Sequence, residues 1–385
     1  MNKDLNNLET YNYYLPSELI AQYPCDIRDK SRLLCYDREK EEITHKTFND
    51  LKHLLSKNDV LVLNNTKVLQ ARFRAQRSAA KGEPRSQSER EIRDKNILIK
   101  EEKNEIEILL IKPQTTDNLT WQVLAKPHKK FRSSKTLKVN SIEIEVLDEQ
   151  NIQFKNYNDL KTILNTVGEM PLPPYIKRDL HSDLTSHLSS LDADRYQTVF
   201  AKEPGAVAAP TASLHFTKEL LEELKNKGVE ILYLTLHVGP GTFMPIRTEN
   251  VLDHKLISEQ FSIENKTWER ILQAKKDKKN IIACGTTVVR TLEYLNLELR
   301  DKTSDPKKES EIITGQCDLF ITPRFKFGLV DSIITNFHLP KTSLLLLISA
   351  FIGWDKVKHI YEEAIKEKYR FFSYGDAMII TATEK

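Results

Sequence analysis

Three histidines occupy positions where a side chain could take or give a proton. His237 follows the apolar run ILYLTL, His338 follows the run SIITNF, and His215 comes two residues after the small-residue run GAVAAPTAS. Imidazole titrates near neutral pH, so each is a candidate general acid or base. Glu169, in the segment GEMPLPPYI, is a fourth candidate. A purely structural role is the alternative for each histidine, and it is the more common one for a lone histidine.

Four loops rich in small and hydroxyl-bearing residues could receive a ligand. They span residues 205–213, 237–243, 285–287 and 336–343. Small residues let a ligand approach the backbone, and Thr or Ser at a helix start leaves N–H groups free for a carboxylate or phosphate. We therefore expect an anionic or zwitterionic small molecule, although each loop taken singly is equally typical of a tight turn. The candidate ligand contacts are Arg195, Thr211, Gly239, Gly241, Thr286, Arg290 and Asn336.

A cationic run lies at residues 126–138, with the sequence KPHKKFRSSKTLK. It holds six Lys or Arg, one His, one Phe and no acid. Cations with an aromatic among them can hold phosphates and stack a base, whereas a solvated surface is the alternative. A formal net charge of +3 is too small to indicate a nucleic-acid binder by itself. The contacts we expect are Lys126, Lys129, Lys130 and Arg132.

Neither a metal site nor a membrane segment is indicated. The four cysteines are scattered, without a CxxC pair or zinc spacing, so we expect no structural zinc and no disulfide framework. The longest apolar run, residues 344–354, falls well short of the roughly 20 residues that span a bilayer, and it predicts a buried helix. The N-terminal residues lack a signal-peptide pattern. We expect a cytoplasmic protein that does not associate with membranes.

Alternating apolar runs and amphipathic segments predict an α/β fold. Strands are predicted at residues 59–65, 229–239, 279–285 and 330–336, with helices at 213–228, 288–295 and 342–353. This alternation favours a mostly parallel sheet with flanking helices. In such sheets ligands bind beyond the carboxyl ends of the strands, which is where the four loops fall.

A second domain is predicted inside the first. Residues 67–160 consist of short β-rich segments separated by polar turns, the pattern of an antiparallel sheet or small barrel. The α/β catalytic domain is then discontinuous, over residues 1–66 and 161–385, as a 385-residue chain with two cores would allow. Residues 77–104 are so charged and Ser-rich that we expect a mobile surface loop.

Eight long segments occur in a fixed order along nearly the whole chain. They are YYLPSELIAQYPCDIRDKSRLL, LNNTKVLQARF, GEMPLPPYI, RYQTVFAKEPGAVAAPTASLHF, TLHVGPGTFMPIR, CGTTVVRTLE, TNFHLPKTSLLLL and YRFFSYGDAMII. With these segments the sequence resembles the S-adenosylmethionine:tRNA ribosyltransferase-isomerase family of queuosine biosynthesis.

The resemblance implies a transferase that moves ribose rather than a methyl group. S-adenosylmethionine would donate and isomerise its ribosyl moiety onto 7-aminomethyl-7-deazaguanine at the tRNA wobble position, giving epoxyqueuosine, adenine and methionine. A base would remove a proton beside the sulfonium, and the protein would have to place that base in a dry site. S-adenosylmethionine is then a consumed co-substrate, no cofactor is expected, and tRNA is the partner of a monomeric enzyme.

The chain departs from the family pattern at three places. Where the family shows H-x-M-H-x-E, this chain has His254, Leu256, Ile257 and Glu259, so no role carries over to a second histidine. A family glycine is replaced by Arg324. The charged residues 77–104 stand in place of a short glycine-rich turn.

Two other classes of function stay open from the residues alone. An S-adenosylmethionine-dependent tRNA methyltransferase would also combine an α/β sheet with a basic appendage, but its usual glycine-rich first turn is missing. A non-catalytic RNA-binding protein is favoured only by the cationic run and the β-rich insertion. The zinc-dependent transglycosylase of the same pathway lacks support because there is no cysteine cluster.

Overall fold

The chain divides into two compact units. The computed structural model describes residues 4–77, 105–178, 185–239, 241, 245–300 and 311–381. One unit comprises Met1–Lys67 with Leu172–Lys385, and the other Val68–Pro171. The second unit thus extends beyond the predicted boundary at residue 160, because the backbone of Glu169 exchanges two hydrogen bonds with that of Arg72, at 2.7 and 3.2 Å. The predicted loop at 77–104 lies, apart from its first residue, outside the described residues.

The larger unit is built on a nine-stranded sheet. Its strands in spatial order are β15 (Ile312–Cys317), β13 (Glu259–Glu264), β12 (Glu230–Leu236), β3 (Asp59–Asn64), β14 (Asn280–Cys284), β16 (Ser332–Asn336), β17 (Ala377–Thr381), β1 (Arg32–Asp37) and β2 (Glu42–Thr47). The central strands β12, β3, β14 and β16 run parallel, while antiparallel neighbours extend the sheet on both sides. β3 and β16 are buried along their whole length, as expected for strands covered on both faces.

Helices pack against this sheet. Over both units the helices are α1 (Leu51–Leu54), α2 (His128–Arg132), α3 (Tyr157–Thr166), α4 (Thr185–Arg195), α5 (Lys218–Asn226), α6 (Asn265–Lys276), α7 (Thr286–Arg300), α8 (Ser343–Ile352) and α9 (Trp354–Lys366). α8 is buried on nearly every side, which confirms the predicted buried helix. α5 begins later than predicted because the Thr217 hydroxyl caps it, accepting the Leu220 N–H at 3.0 Å. Within the described ranges no helix is long and apolar enough to cross a bilayer.

The smaller unit contains a closed six-stranded antiparallel barrel. Its strands in spatial order are β10 (Asn151–Phe154), β7 (Thr120–Lys126), β6 (Glu105–Pro113), β5 (Arg72–Arg77), β8 (Thr136–Val139) and β9 (Ile142–Val146). Alternate side chains such as Phe73, Ile108 and Ile144 are fully buried, so period-two sequence patterning fills the barrel. A separate two-stranded sheet joins β4 (Thr66–Val68) to β11 (Glu203–Ala206). The predicted fold class, an α/β sheet with an antiparallel barrel, is confirmed.

Candidate active site

A cleft opens at the carboxyl ends of β14 and β16. Four predicted site residues line this cleft: Thr211, Thr286, Asn336 and His338. With Val238 from the loop at 237–243, the structure brings together residues from all four predicted loops, and the four predicted site residues are separated by up to 127 positions in sequence.

The turn from β14 into α7 forms one wall of the cleft. Gly285 has φ of +94°, a conformation that a side chain would strain, and its N–H donates to the Ile334 carbonyl at 2.8 Å. This conformation directs the chain straight from the strand into α7. As a result Thr286 and Thr287, the first two residues of the helix, both line the cleft.

A hydrogen-bonded network fixes Asn336 and His215. The Thr211 hydroxyl donates to Asn336 Oδ1 at 2.8 Å, so Asn336 Nδ2 faces the Asp376 carbonyl and His215 Nε2, each 3.3 Å away. His215 Nε2 must then accept, which makes its imidazole neutral. Burial lowers the pKa of His215 to about 4, in the same direction. His215 lies behind the cleft wall and holds Asn336, instead of standing in the first turn of a helix as predicted.

His338 lines the cleft directly and is nevertheless buried. Its Nε2 lies 2.9 Å from the Thr335 hydroxyl, and its backbone N–H donates to the Tyr361 hydroxyl at 3.0 Å. Tyr13 donates to its carbonyl. Burial alone lowers the pKa of His338 to about 3, so this imidazole is neutral at physiological pH.

His237 is half-buried and follows the last residue of β12. Its Nδ1 lies 2.9 Å from the Thr66 hydroxyl. A Cβ at Gly205 would come within 2.7 Å of the ring, so a glycine there lets backbone pack against the imidazole. Burial lowers the pKa of His237, and the Glu203 carboxylate partly offsets this. His237 itself is outside the cleft lining, whereas Val238, the next residue, is part of it.

Arg290 does not reach the cleft, contrary to its predicted ligand contact. The side chain is buried and donates to Glu259 Oε2 at 2.6 Å and to the Leu319 and Cys317 carbonyls at 2.9 and 3.3 Å. Glu259 in turn accepts the Gly239 N–H at 2.9 Å. Arg290 therefore holds the loop after β12 through a buried ion pair, and the Gly239 backbone donor is used internally.

Arg195 and Glu169 are also engaged away from the cleft. Arg195 donates to the carbonyls of Asp26 and Cys25, which ties the end of α4 to the N-terminal segment. Glu169 belongs to the barrel unit, where its carboxylate accepts from Arg72 at 3.0 Å. Sequence patterns place both beside rigid segments but cannot reveal these partners, which lie 97 or more positions away.

Two of the three departures from the family pattern fall on described residues, one in the loop before β13 and one at Arg324 in a turn. A Cβ at Gly241 would come within 3.4 Å of the Ile257 side chain, and Ile257 is itself exposed. His254 packs its ring edge-on against Phe320. Residues 240 and 242–244 lie outside the described residues, so Gly241 stays a prediction as a substrate contact.

An aromatic wall of the cleft was missed by sequence reasoning. Tyr175 and Phe372 line the cleft with ring centroids 4.4 Å apart, and the Tyr175 hydroxyl lies 2.6 Å from Ser373 Oγ. Phe372 has φ of +73°, which is unusual for a bulky residue and is typical of strained functional sites. The only sequence signal was aromatic residues within two of the family-like segments.

The cationic run folds differently from the prediction in one respect. Residues 128–132 form α2, whose Phe131 is fully buried and therefore cannot stack a base. Lys126 and Lys129 are exposed, Lys130 is half-buried, and Arg132 lies 3.4 Å from Glu149 in an exposed ion pair. Phosphate contact remains a prediction for these four cations.

The described residues contain no group of three His, Cys, Asp or Glu side chains that could hold a metal ion. All four cysteines are free thiols. Cys284 ends β14 beneath the cleft turn, and burial raises the pKa of its thiol to about 12, so it is not a nucleophile.

The chain is similar to known proteins over nearly its whole length. A sequence model of the family described as queuosine biosynthesis protein matches residues 8–380. The S-adenosylmethionine:tRNA ribosyltransferase-isomerase of Carboxydothermus hydrogenoformans is 43% identical over 380 residues, covering 97% of this chain and 99% of that protein. The protein of the same name from a Sulfurihydrogenibium species is 42% identical, with the same coverage of 97% and 99%.

A crystal structure of an S-adenosylmethionine tRNA ribosyltransferase from Thermotoga maritima is 30% identical, covers 96% of this chain and 99% of that chain, and has a TM-score of 0.49. The chain belongs to the S-adenosylmethionine:tRNA ribosyltransferase-isomerase family.

Proposed function

We propose that this protein transfers and isomerises the ribosyl moiety of S-adenosylmethionine onto 7-aminomethyl-7-deazaguanine at the wobble position of tRNA. The observation that carries the proposal is the cleft at the ends of β14 and β16, which family-like segments build. Its lining of small, hydroxyl-bearing and aromatic residues suits a nucleoside with an amino-acid extension.

The protein has to supply a base, exclude water from the site and position the substrate. The sulfonium itself already acidifies the neighbouring C–H bond. His237 is our candidate base. Burial lowers its pKa, and Nε2 has no hydrogen-bond partner among the described residues, while Nδ1 is held by Thr66. His338, which lines the cleft and is also neutral, is the alternative.

S-adenosylmethionine is consumed in this proposal, and no further cofactor takes part. The tRNA would be held in part by four cations of the barrel unit, Lys126, Lys129, Lys130 and Arg132. Every residue lining the cleft belongs to the larger unit, and we propose a monomeric enzyme.

The test is a product assay with purified protein, S-adenosylmethionine and tRNA carrying the aminomethyl base. We expect epoxyqueuosine in the nucleoside mass spectrum, with adenine and methionine released in equal amounts, also in the presence of EDTA. Unmodified tRNA serves as the control and should release no adenine.

Two outcomes would contradict the proposal. S-adenosylhomocysteine with a methylated nucleoside would instead identify a methyltransferase. Tight tRNA binding without any turnover of S-adenosylmethionine would favour a non-catalytic RNA-binding protein.

A further inference from the structure

The two hydroxyl groups at the start of α7 are without partners inside the cleft. Thr286 and Thr287 are each 6% exposed and line the cleft. Neither hydroxyl makes a hydrogen bond within the part of the chain that the structure describes. Both hydroxyl oxygens are open to the cleft, so a ligand bound there can make hydrogen bonds with both.

The backbone at the same place also offers unused donors. Of the first N–H groups of α7, those of Val288 and Val289 donate to the Gly285 carbonyl, at 3.1 and 3.2 Å. Those of Thr286 and Thr287 find no acceptor in the described ranges. Because Gly285 precedes the helix and has no side chain, it cannot cap these donors. The start of α7 thus combines free N–H groups, free hydroxyls and the positive end of a 15-residue helix.

The other helix that starts at the cleft is already capped. The Thr342 hydroxyl donates to the Leu339 carbonyl at 2.8 Å and accepts the Leu345 N–H at 3.4 Å, at the start of α8. This contrast distinguishes α7 from α8 as a place for an anion.

No side-chain cation competes for an anion in the cleft. Among the residues described by the structure, the cleft lining contains no Lys, Arg, Asp or Glu, and its one histidine, His338, is neutral. A carboxylate that enters the cleft therefore finds positive potential at the start of α7. The aromatic wall of Tyr175 and Phe372 offers a surface on which a purine can stack.

We propose that the N-terminus of α7, with the Thr286 and Thr287 hydroxyls, binds the methionine carboxylate of S-adenosylmethionine, and that the adenine lies against Tyr175 and Phe372. This proposal rests on the proposed function. The orientation places the sulfonium and ribose between the two ends of the cleft, and it retains the methionine carboxylate in the same subsite while adenine leaves.

The test compares two ligands that differ only in the carboxylate: S-adenosylmethionine and decarboxylated S-adenosylmethionine. Isothermal titration of the wild-type protein should give at least tenfold tighter binding of the first, since hydrogen bonds to a charged group contribute about 1.5 to 3 kcal/mol. Thr286→Val and Thr287→Val should each lower that ratio several-fold by weakening S-adenosylmethionine alone. Thr287→Ser retains the hydroxyl and should retain the ratio.

Thr291→Val is the matched control. Thr291 lies one turn further along α7, outside the cleft lining, and its hydroxyl donates to the Thr287 carbonyl. This variant should keep the wild-type ratio. Equal affinity of the wild type for the two ligands, or an unchanged ratio in both valine variants, would overturn the carboxylate subsite while leaving ribosyl transfer intact. Failure of both ligands to bind would overturn the proposed function as well.

Discussion

At the scale of single residues, burial keeps the three candidate histidines neutral. In each of them burial is the largest cause that lowers the folded-state pKa below the ordinary value of about 6.5. The pKa falls to about 4 for His215 and to about 3 for His338. The unfolded chain binds protons more readily, so this contribution to stability is present above about pH 6.5 and is lost as pH falls. The cleft therefore offers one neutral imidazole, that of His338, to a cationic substrate, which avoids repulsion of the sulfonium.

The role of His237 can be tested by replacing it with glutamine, which could keep the hydrogen bond to Thr66 but cannot act as a base. We expect the rate of adenine release to fall roughly 10²- to 10⁴-fold in single-turnover assays. Because the pKa of His237 is lowered, the wild-type rate should decline only below about pH 6.5. The residual rate of His237→Gln should lack this decline.

His338→Gln provides the comparison, since His338 lines the same cleft. Near-normal turnover in a folded His237→Gln protein, with the acidic decline abolished only in His338→Gln, would transfer the role of base to His338. Circular dichroism and tRNA affinity would verify that both variants are folded.

At the scale of elements, one turn carries a residue unsuited to its backbone. Residues 322–325 form a turn closed by the Phe325 N–H, which donates to the Thr322 carbonyl at 3.1 Å. Pro323 occupies its second position and Arg324, with φ of +80°, its third. This is the geometry of a type II turn, whose third position favours glycine. The family glycine at this position thus has a conformational reason, and the arginine costs strain.

We predict that Arg324→Gly raises the free energy of unfolding by about 0.5 to 1 kcal/mol. Relief of left-handed strain contributes about 1 to 2 kcal/mol, and the greater entropy of an unfolded glycine removes about 0.4 to 1 kcal/mol. Urea denaturation of both proteins measures the difference. Lys326→Gly, at an exposed neighbour without positive φ, should destabilise instead. Destabilisation by Arg324→Gly would show that arginine contacts outweigh the strain.

The elements also show where sequence reasoning succeeds and where it stops. Apolar runs predicted β3, β12, β14 and β16 correctly, because buried parallel strands leave a continuous hydrophobic signal. The pattern could not assign Arg290, since its partners are a carboxylate and carbonyls that only the fold brings near. Free Arg290 and ion-paired Arg290 look the same in a sequence.

At the scale of the whole molecule, the sequence likewise does not show which charged side chains are paired or which aromatic side chains are buried. The sequence shows the cations of residues 126–138 without their neighbours, whereas the fold buries Phe131 and brings Glu149 to Arg132. Phe131 lies on the short helix α2, which packs against β7 of the barrel and buries the ring. Fewer of the predicted contacts are then free to meet phosphates, and the expected electrostatic effect is smaller than six cations would suggest.

The triple variant Lys129→Ala, Lys130→Ala and Arg132→Ala tests the remaining contribution to tRNA binding. Each lost phosphate contact should reduce the slope of log affinity against log salt by about 0.7 to 0.9. Because Arg132 is already paired, we expect the loss of one to two contacts and weaker binding at low salt.

The control variant has the same change in net charge. It replaces by alanine three exposed lysines that are each paired with a glutamate: Lys225, Lys266 and Lys358. If both triple variants lower affinity and slope equally, the effect comes from net charge, and residues 126–138 do not contact the tRNA backbone. A reduced slope in the first variant alone would place phosphate contacts on the barrel unit.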